Sequence, residues 1–407
     1  MQWYCIMWVM NIVRVPEEWL RSETVLPRNV YSRGGEKVAR AGTRVSEELA
    51  SRLREDGWLH QEMLPESLLH LECSWNRKDR LPGVRLNVRS RFFAAAERML
   101  VALDGCYATL LSRGNVSVQP VLMEIAAGIQ LALSQDDEGF LASLELFDGA
   151  QYALLHALHS AALCDLVGMV SGEAESDRKR LVAAALTRDL GFVALQEILD
   201  RNKGGLDSHQ RRQMEWHPRL SRRLLEEAGV SDPQWLLAVE QHHERLDGSG
   251  YPEGTVGEGI HPWARMLGIA DIYSAMTKPR GYRDAIQGTG ALQELFSKRG
   301  GEVDATITAR FVGALGIFPP GSLVKLASGE TAMVIRQTGN PRYPFIKAIA
   351  TPDGHIIPLC PTRDPADPHF AIEAILPRQA GLLARINHRQ LWGDPDKIHL
   401  KSSVVAS

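Results

Sequence analysis

A chain of 407 residues with 44% hydrophobic and 23% charged residues has the make-up of a soluble globular protein with room for two or three domains. Its formal net charge of −3 and its lack of a long basic block exclude a nucleic-acid partner as the first expectation, while a small anion held by a local basic pocket stays allowed. The five cysteines (Cys5, Cys73, Cys106, Cys164 and Cys360) are scattered and form no CxxC pair, which argues against disulfides or a thiolate metal site and fits a reducing cytoplasm.

The apolar start, MQWYCIMWVMNIV, is shorter than the about 20 residues that span a membrane and lacks the basic flank of a signal peptide. It reads as a buried strand, or as an over-long start with Met7 and Met10 as later ones, and no membrane span is expected. Residues 15–60 hold two short extended runs about Gly34-Gly35, then a helix from near Ser46 to Gly57. With the polar, Glu-, Arg- and Pro-rich stretch that follows, residues 1–90 form a small α+β module and a linker.

Apolar residues recur at helical spacing in RFFAAAERMLVAL, VLMEIAAGIQLAL and YALLHALHSAALCDLVGMV, so residues 91–318 read as a helical domain. Asp232-Pro233 marks a helix start within it, a capping carboxylate followed by proline. Past Pro319 the pattern becomes alternating, with turns at Ser328-Gly329, Gly339-Asn340-Pro341 and Asp353-Gly354. That predicts a small β domain of five or six strands over residues 319–378, and residues 379–407 read as a tail. The fold class is mainly α, a helical bundle flanked by two small domains.

The helical domain carries an unusual set of polar residues. His159 follows His156 by three positions in an apolar helix, and Asp189 ends another. A buried carboxylate requires a cation or a donor. His217 precedes Pro218, and His242 and His243 are adjacent at the end of a capped helix, where the chain turns into DGSGYPEG. Adjacent helical residues diverge by about 100°, so those two reach one site only at a helix end. Asp271 lies in ARMLGIADIYSAM, apolar on nearly every side. Four histidines and two aspartates on successive helices suit iron, manganese, zinc or nickel.

HHERLDGSGYPEG (242–254) resembles the HHExxDGxGYP signature of the HD-GYP family, metal-dependent phosphohydrolases of cyclic di-GMP. ARMLGIADIYSAMTKPRGYR resembles its next block, HSAAL from His159 its first-ligand helix, and His217-Pro218 its central histidine. The flanking modules resemble ones often found beside these domains. The resemblance implies an HD-type bundle, catalytic residues Asp189, His217, His242, His243 and Asp271, and metal ligands His159, Asp189, His217, His242, His243 and Asp271. It implies cyclic di-GMP bound near Arg280, Tyr282, Arg283, Gly250, Tyr251 and Pro252, and a GYP loop that also docks a partner protein. Arg280 and Arg283, one turn apart, suit phosphates.

One block departs. The family pattern H-D-x-G-K reads here Arg188-Asp189-Leu190-Gly191-Phe192. Arginine offers no lone pair, so one transition metal per chain is expected, with Arg188 against Asp189 and Asp271 in place of a second ion. Leu155 stands where some members carry a glutamate for a third metal. The expected function is therefore either a weak or conditional phosphodiesterase, or a silent receptor or adaptor for cyclic di-GMP.

Overall fold

The structure, a computed structural model, describes residues 12–60, 91–112, 117–147, 151–196, 207–278 and 286–392, apart from short breaks at 16, 23, 27–29, 32–36, 41–42, 57 and 387. Most of the apolar start, the expected linker at 61–90 and the tail beyond 392 lie outside the described residues.

Strands β1 (Ile12–Arg14), β2 (Val30–Tyr31), β3 (Lys37–Ala39) and β4 (Trp58–His60) pair antiparallel in the order β1-β4-β2-β3. Helix α1 (Glu47–Asp56) begins where Ser46 Oγ accepts the Leu49 amide at 3.2 Å, with Glu47 and Glu48 in its positive first turn. Its Ala50 and Leu53 join Val15, Leu20, Leu26, Val30, Ala39 and Val45 in a small separate core.

The bundle comprises α2 (Arg91–Leu111), α3 (Gln119–Leu146), α4 (Tyr152–Ser171), α5 (Glu175–Thr187), α6 (Ser208–Glu227), α7 (Pro233–Gln241), α8 (Pro262–Thr277), α9 (Gly288–Ser297) and α10 (Ala305–Leu315). Helix α4 is its hub, packed on α2, α3, α5, α8 and α10. Every residue from Ala153 to Gly168 is buried, which is why its sequence is apolar all round rather than striped. It is long and apolar enough to cross a membrane, but 89% of that window is buried inside the protein, as in a core helix.

Two local devices aim the site. Asp232 caps α7 by accepting the Gln234 and Trp235 amides at 3.0 and 3.2 Å. Trp235 then donates to Thr187 Oγ1 at 2.9 Å, tying α7 to the end of α5 just before Arg188. Helix α3 breaks at Asp136 (φ −168°, ψ 92°), whose carboxylate accepts the Gly139 amide at 2.9 Å and restarts it.

Beyond the bundle, β5 (Leu323–Leu326), β6 (Thr331–Arg336), β7 (Phe345–Ala350), β8 (Thr362–Arg363) and β9 (Ile372–Leu376) form an antiparallel sheet ordered β8-β7-β6-β5-β9. Central β6 is buried on both faces. Met333 and Ile335 join the bundle core, whereas Ala332 and Val334 form a second core with Val324, Leu326 and Ile346. Short helices α11 (Ala380–Leu383) and α12 (His388–Trp392) return Leu391 and Trp392 to the bundle. The chain is thus mainly α, with the small β sheet near its C-terminus.

Candidate metal centre

Asp189 in the turn after α5, His217 on α6, and His242 and His243 at the end of α7 each place one ligand atom within 4.8 Å of the others. The turn is tight: a Cβ on Gly191 would fall 2.7 Å from the His217 carbonyl oxygen, so a larger residue would force α6 away.

His217 is oriented by its neighbour. Pro218 has no amide hydrogen, which leaves the Met214 carbonyl without its helical donor. His217 Nδ1 meets that carbonyl at 2.6 Å; as the donor there, it carries its lone pair on Nε2, turned inward. His242 does the same at the end of α7, where carbonyls lack partners, its Nδ1 meeting the Val239 carbonyl at 2.6 Å. The two Nε2 atoms are buried and have no hydrogen-bond partner among the described residues. They stand 3.3 and 3.7 Å from Asp189 Oδ1. Lone pairs facing a carboxylate repel it, and an unsatisfied buried polar atom costs about 1–3 kcal/mol. A cation among them would remove both penalties, so the donor set fits a metal.

The protonation states agree. Burial lowers His242 and His243 below the ordinary imidazole value, which favours the neutral, ligating form. Burial alone would raise Asp189, but the Arg188 guanidinium holds it well below the usual carboxylate range.

The other side of Asp189 is filled by protein. Arg188 is fully buried. Its Nε and Nη2 donate to Asp271 Oδ1 at 3.0 and 2.8 Å, Nη2 reaches Asp189 Oδ2 at 3.0 Å and Ser160 Oγ at 3.1 Å, and Nη1 donates to the Ala185 carbonyl at 2.8 Å. The guanidinium thus lies against both carboxylates. Against the cost of burial, it keeps Asp271 well below its ordinary value.

The histidine on this side is His156, not His159. His156 Nε2 lies 3.0 Å from Asp271 Oδ1 and 3.8 Å from Asp189 Oδ2, and these three residues form a second close group. His159 Nδ1 meets Ser274 Oγ at 3.1 Å, and its Nε2 is 3.9 Å from Glu145 Oε2. His159, expected from the sequence as a metal ligand, thus lies outside both close groups of ligand atoms among the described residues. Positions i and i+3 share a helix face, and only the packing of α4 on α8 decides which of them meets Asp271.

The GYP loop covers the histidines. Tyr251 rests its ring 4.6 Å from that of His243, and its amide donates to the His243 carbonyl at 3.2 Å. Gly250 has no substitute, because a Cβ there would fall on the backbone of His243, Glu244 and Arg245. Pro252 follows through a cis peptide. Buried Glu244 holds the far side, accepting the Glu253, Gly254 and Thr255 amides at 2.7, 3.2 and 2.9 Å. Arg219 on α6 pairs with Glu253. Phe192 sets its ring 5.2 Å from His217. Arg280, Tyr282 and Arg283 lie outside the described residues. The sequence reading passed over His156 as a site residue, and Glu145, Ser160, Glu244 and Ser274 altogether. One signal was present: His156 and His159 on α4, and Asp271 and Ser274 on α8, are matched i, i+3 polar pairs on otherwise apolar helices.

Residues 141–307, which contain every ligand atom of both groups, match the family model of the HD domain. A cyclic di-GMP phosphodiesterase of Pseudomonas aeruginosa is 30% identical over 185 residues, 45% of this chain and 44% of that protein. A cyclic di-GMP phosphodiesterase response regulator of Xanthomonas campestris is 33% identical over 159 residues, 39% and 42% of the two chains. A 3'3'-cGAMP-specific phosphodiesterase of Vibrio cholerae is 29% identical over 168 residues, 41% and 36% of the two chains. The chain spans less than half the length of these relatives. Fold and site together define an HD domain of the metal-dependent phosphohydrolase type. Within that class the chain is similar, over less than half of its length, to cyclic di-GMP phosphodiesterases.

Proposed function

We propose that this chain is a cyclic di-GMP signalling protein whose HD-GYP domain holds one transition metal ion on Asp189, His217, His242 and His243, and hydrolyses the cyclic dinucleotide weakly. The observation that carries this reading is the pair of buried, unpartnered Nε2 atoms on His217 and His242, facing Asp189. Iron, manganese, zinc or nickel there would supply Lewis-acid activation of water and of the phosphoryl oxygens. The chain's own part is to fix the two imidazoles through backbone carbonyls and to cover the site with Tyr251.

Asp271 is occupied by Arg188 and His156, so no second ion is expected there. Losing one preorganised electrostatic element commonly costs about 10²- to 10³-fold in rate. Phe192, uncharged where the family pattern has lysine, adds to that loss. Arg280, Tyr282 and Arg283 are proposed to meet the phosphates, and Gly250, Tyr251 and Pro252 to shape the pocket. A second reading, a receptor or adaptor without turnover, is favoured by the buried Arg188 itself, which lies against both Asp271 and Asp189.

The test is metal content by elemental mass spectrometry on anaerobically purified protein, with hydrolysis of cyclic di-GMP and 3'3'-cGAMP assayed on the same sample. About one metal per chain with slow hydrolysis supports the first reading. Dinucleotide binding without turnover establishes the second. Two metals with rapid turnover refute the one-metal site.

A further inference from the structure

Ser274 is fully buried on α8, and its Oγ lies 3.0 Å from His156 Nδ1 and 3.1 Å from His159 Nδ1. A hydroxyl between two ring nitrogens has one proton to give, so it donates to one ring and accepts from the other. Asp271 decides the direction. Its Oδ1 accepts two N–H bonds from Arg188, the environment of an ionised carboxylate, so His156 Nε2 at 3.0 Å is a donor to it. A neutral His156 then has its lone pair on Nδ1, where Ser274 donates. His159 Nδ1–H in turn donates to Ser274 Oγ.

The chain of donors ends in a bare lone pair on His159 Nε2. That atom stays 3.9 Å from Glu145 Oε2, beyond hydrogen-bond range. An N–H at this position would draw the carboxylate in, whereas a lone pair facing it holds it off. Glu145 pairs instead with Lys278 at 3.0 Å.

We infer that Ser274 is a positioning residue that passes the state of Asp271 through His156 to His159, and so to Glu145 at the end of α3, where the β domain is fastened. Lys278 Nζ donates to the Leu144 and Glu145 carbonyls at 2.9 and 3.1 Å. Arg378, just past β9, grips the carbonyls of Glu145, Leu146 and Phe147. Glu145 and Arg378 line a cleft between bundle and sheet, with Tyr273 and Gln287 on its wall. Were His156 to turn its Nε2 lone pair to a cation, every bond in the wire would reverse. His156 Nδ1–H would donate to Ser274, Ser274 to His159, and His159 Nε2–H to Glu145. The wire exists whatever phosphoester the centre takes.

The experiment is a long-range ¹H–¹⁵N correlation spectrum of the full-length, chelator-treated protein labelled at histidine. The two rings are assigned with His156→Gln and His159→Gln variants. The proton is expected on Nε2 of His156 and on Nδ1 of His159. Ser274→Ala is expected to leave His156 unchanged and to move the His159 proton to Nε2, and Ser274→Thr to keep the wild-type pattern. A proton on Nδ1 of His156, or an unmoved His159 in folded Ser274→Ala, overturns the assignment. If Ser274→Ala does not fold, the wild-type pattern alone decides. The spectrum needs neither metal nor dinucleotide, so it holds or fails separately from the hydrolysis assay.

Discussion

Pro218 removes one hydrogen bond from the α6 ladder and thereby orients a candidate ligand, since the carbonyl it leaves free fixes His217. Replacing it with alanine restores an amide donor to Met214 and sets that amide against His217 Nδ1. Pro218→Ala is expected to raise the stability of the metal-free protein and to weaken metal binding about 10- to 100-fold, the usual effect of losing a group that orients a ligand. A competition titration with zinc, beside a thermal melt, measures both; unchanged affinity would mean that ring packing alone orients His217. Arg188 gives the opposite case, a buried cation lodged against Asp189 and Asp271. Arg188→Met leaves two carboxylates buried without their cation, so chemical denaturation should show a loss of about 3–5 kcal/mol. Arg188→His with Phe192→Lys should instead admit a second metal and raise hydrolysis, read by elemental mass spectrometry and product formation. If neither changes, the departure at this block is not what limits the site.

At the scale of elements, the loop after α7 is braced on one buried carboxylate. Glu244 accepts three backbone amides from residues 253–255, and charge-assisted bonds of this kind contribute about 1.5–3 kcal/mol. Glu244→Gln sets an amide NH₂ against at least one of those N–H groups. Hydrogen–deuterium exchange at residues 251–255 is expected to rise at least about tenfold, since about 1.4 kcal/mol of local opening is a factor of ten. Unchanged exchange would show that the Arg219–Glu253 pair and ring packing suffice. The elements themselves were largely legible in the sequence because their signals are local. Asp232-Pro233 starts α7 with its own cap, paired histidines can share a site only at a helix end, and period-two alternation marks β5 to β7. Contacts between elements were not legible. His156 and His159 are equivalent on α4 until α8 is placed against it. Glu145 and Lys278, 133 positions apart, leave no mark in either local pattern. The break at Asp136 was hidden because the residues around it keep helical spacing.

The whole molecule depends on how the β domain sits on the bundle, and that seam is fastened at both ends of the second half of α3. At the C-terminal end, Lys278 and Arg378 share the last carbonyls. At the break, Asp136 pairs with Arg336 at 2.9 Å, and Glu138 Oε1 accepts the Gln337 amide at 2.7 Å, just past β6. Burial pushes Glu138 up from 4.5 to about 7, with the negative charges of Asp137 and Asp136 adding to the rise and the Gln337 amide and Arg336 opposing it. A carboxyl whose folded pKa is raised contributes stability that is fully present below its unfolded value and is lost as pH rises through the folded one. The junction is therefore expected to hold best below about pH 4.5 and to weaken up to about pH 7, as far as Glu138 is concerned. Asp189 and Asp271 run the other way: their depressed values mean that their contribution is lost only as pH falls below the ordinary aspartate range, near 3.9. Between pH 5 and 8 the Glu138 effect thus stands clear of theirs. Glu138→Gln keeps the acceptor for Gln337 and removes the charge, so it should leave the melting temperature at pH 5 nearly unchanged and raise it by about 2 °C at pH 8. The group is only partly buried, and solvent screening keeps the gain that small. Parallel melts of both proteins at the two pH values measure it, and an equal shift at both would show that Glu138 acts through shape rather than charge.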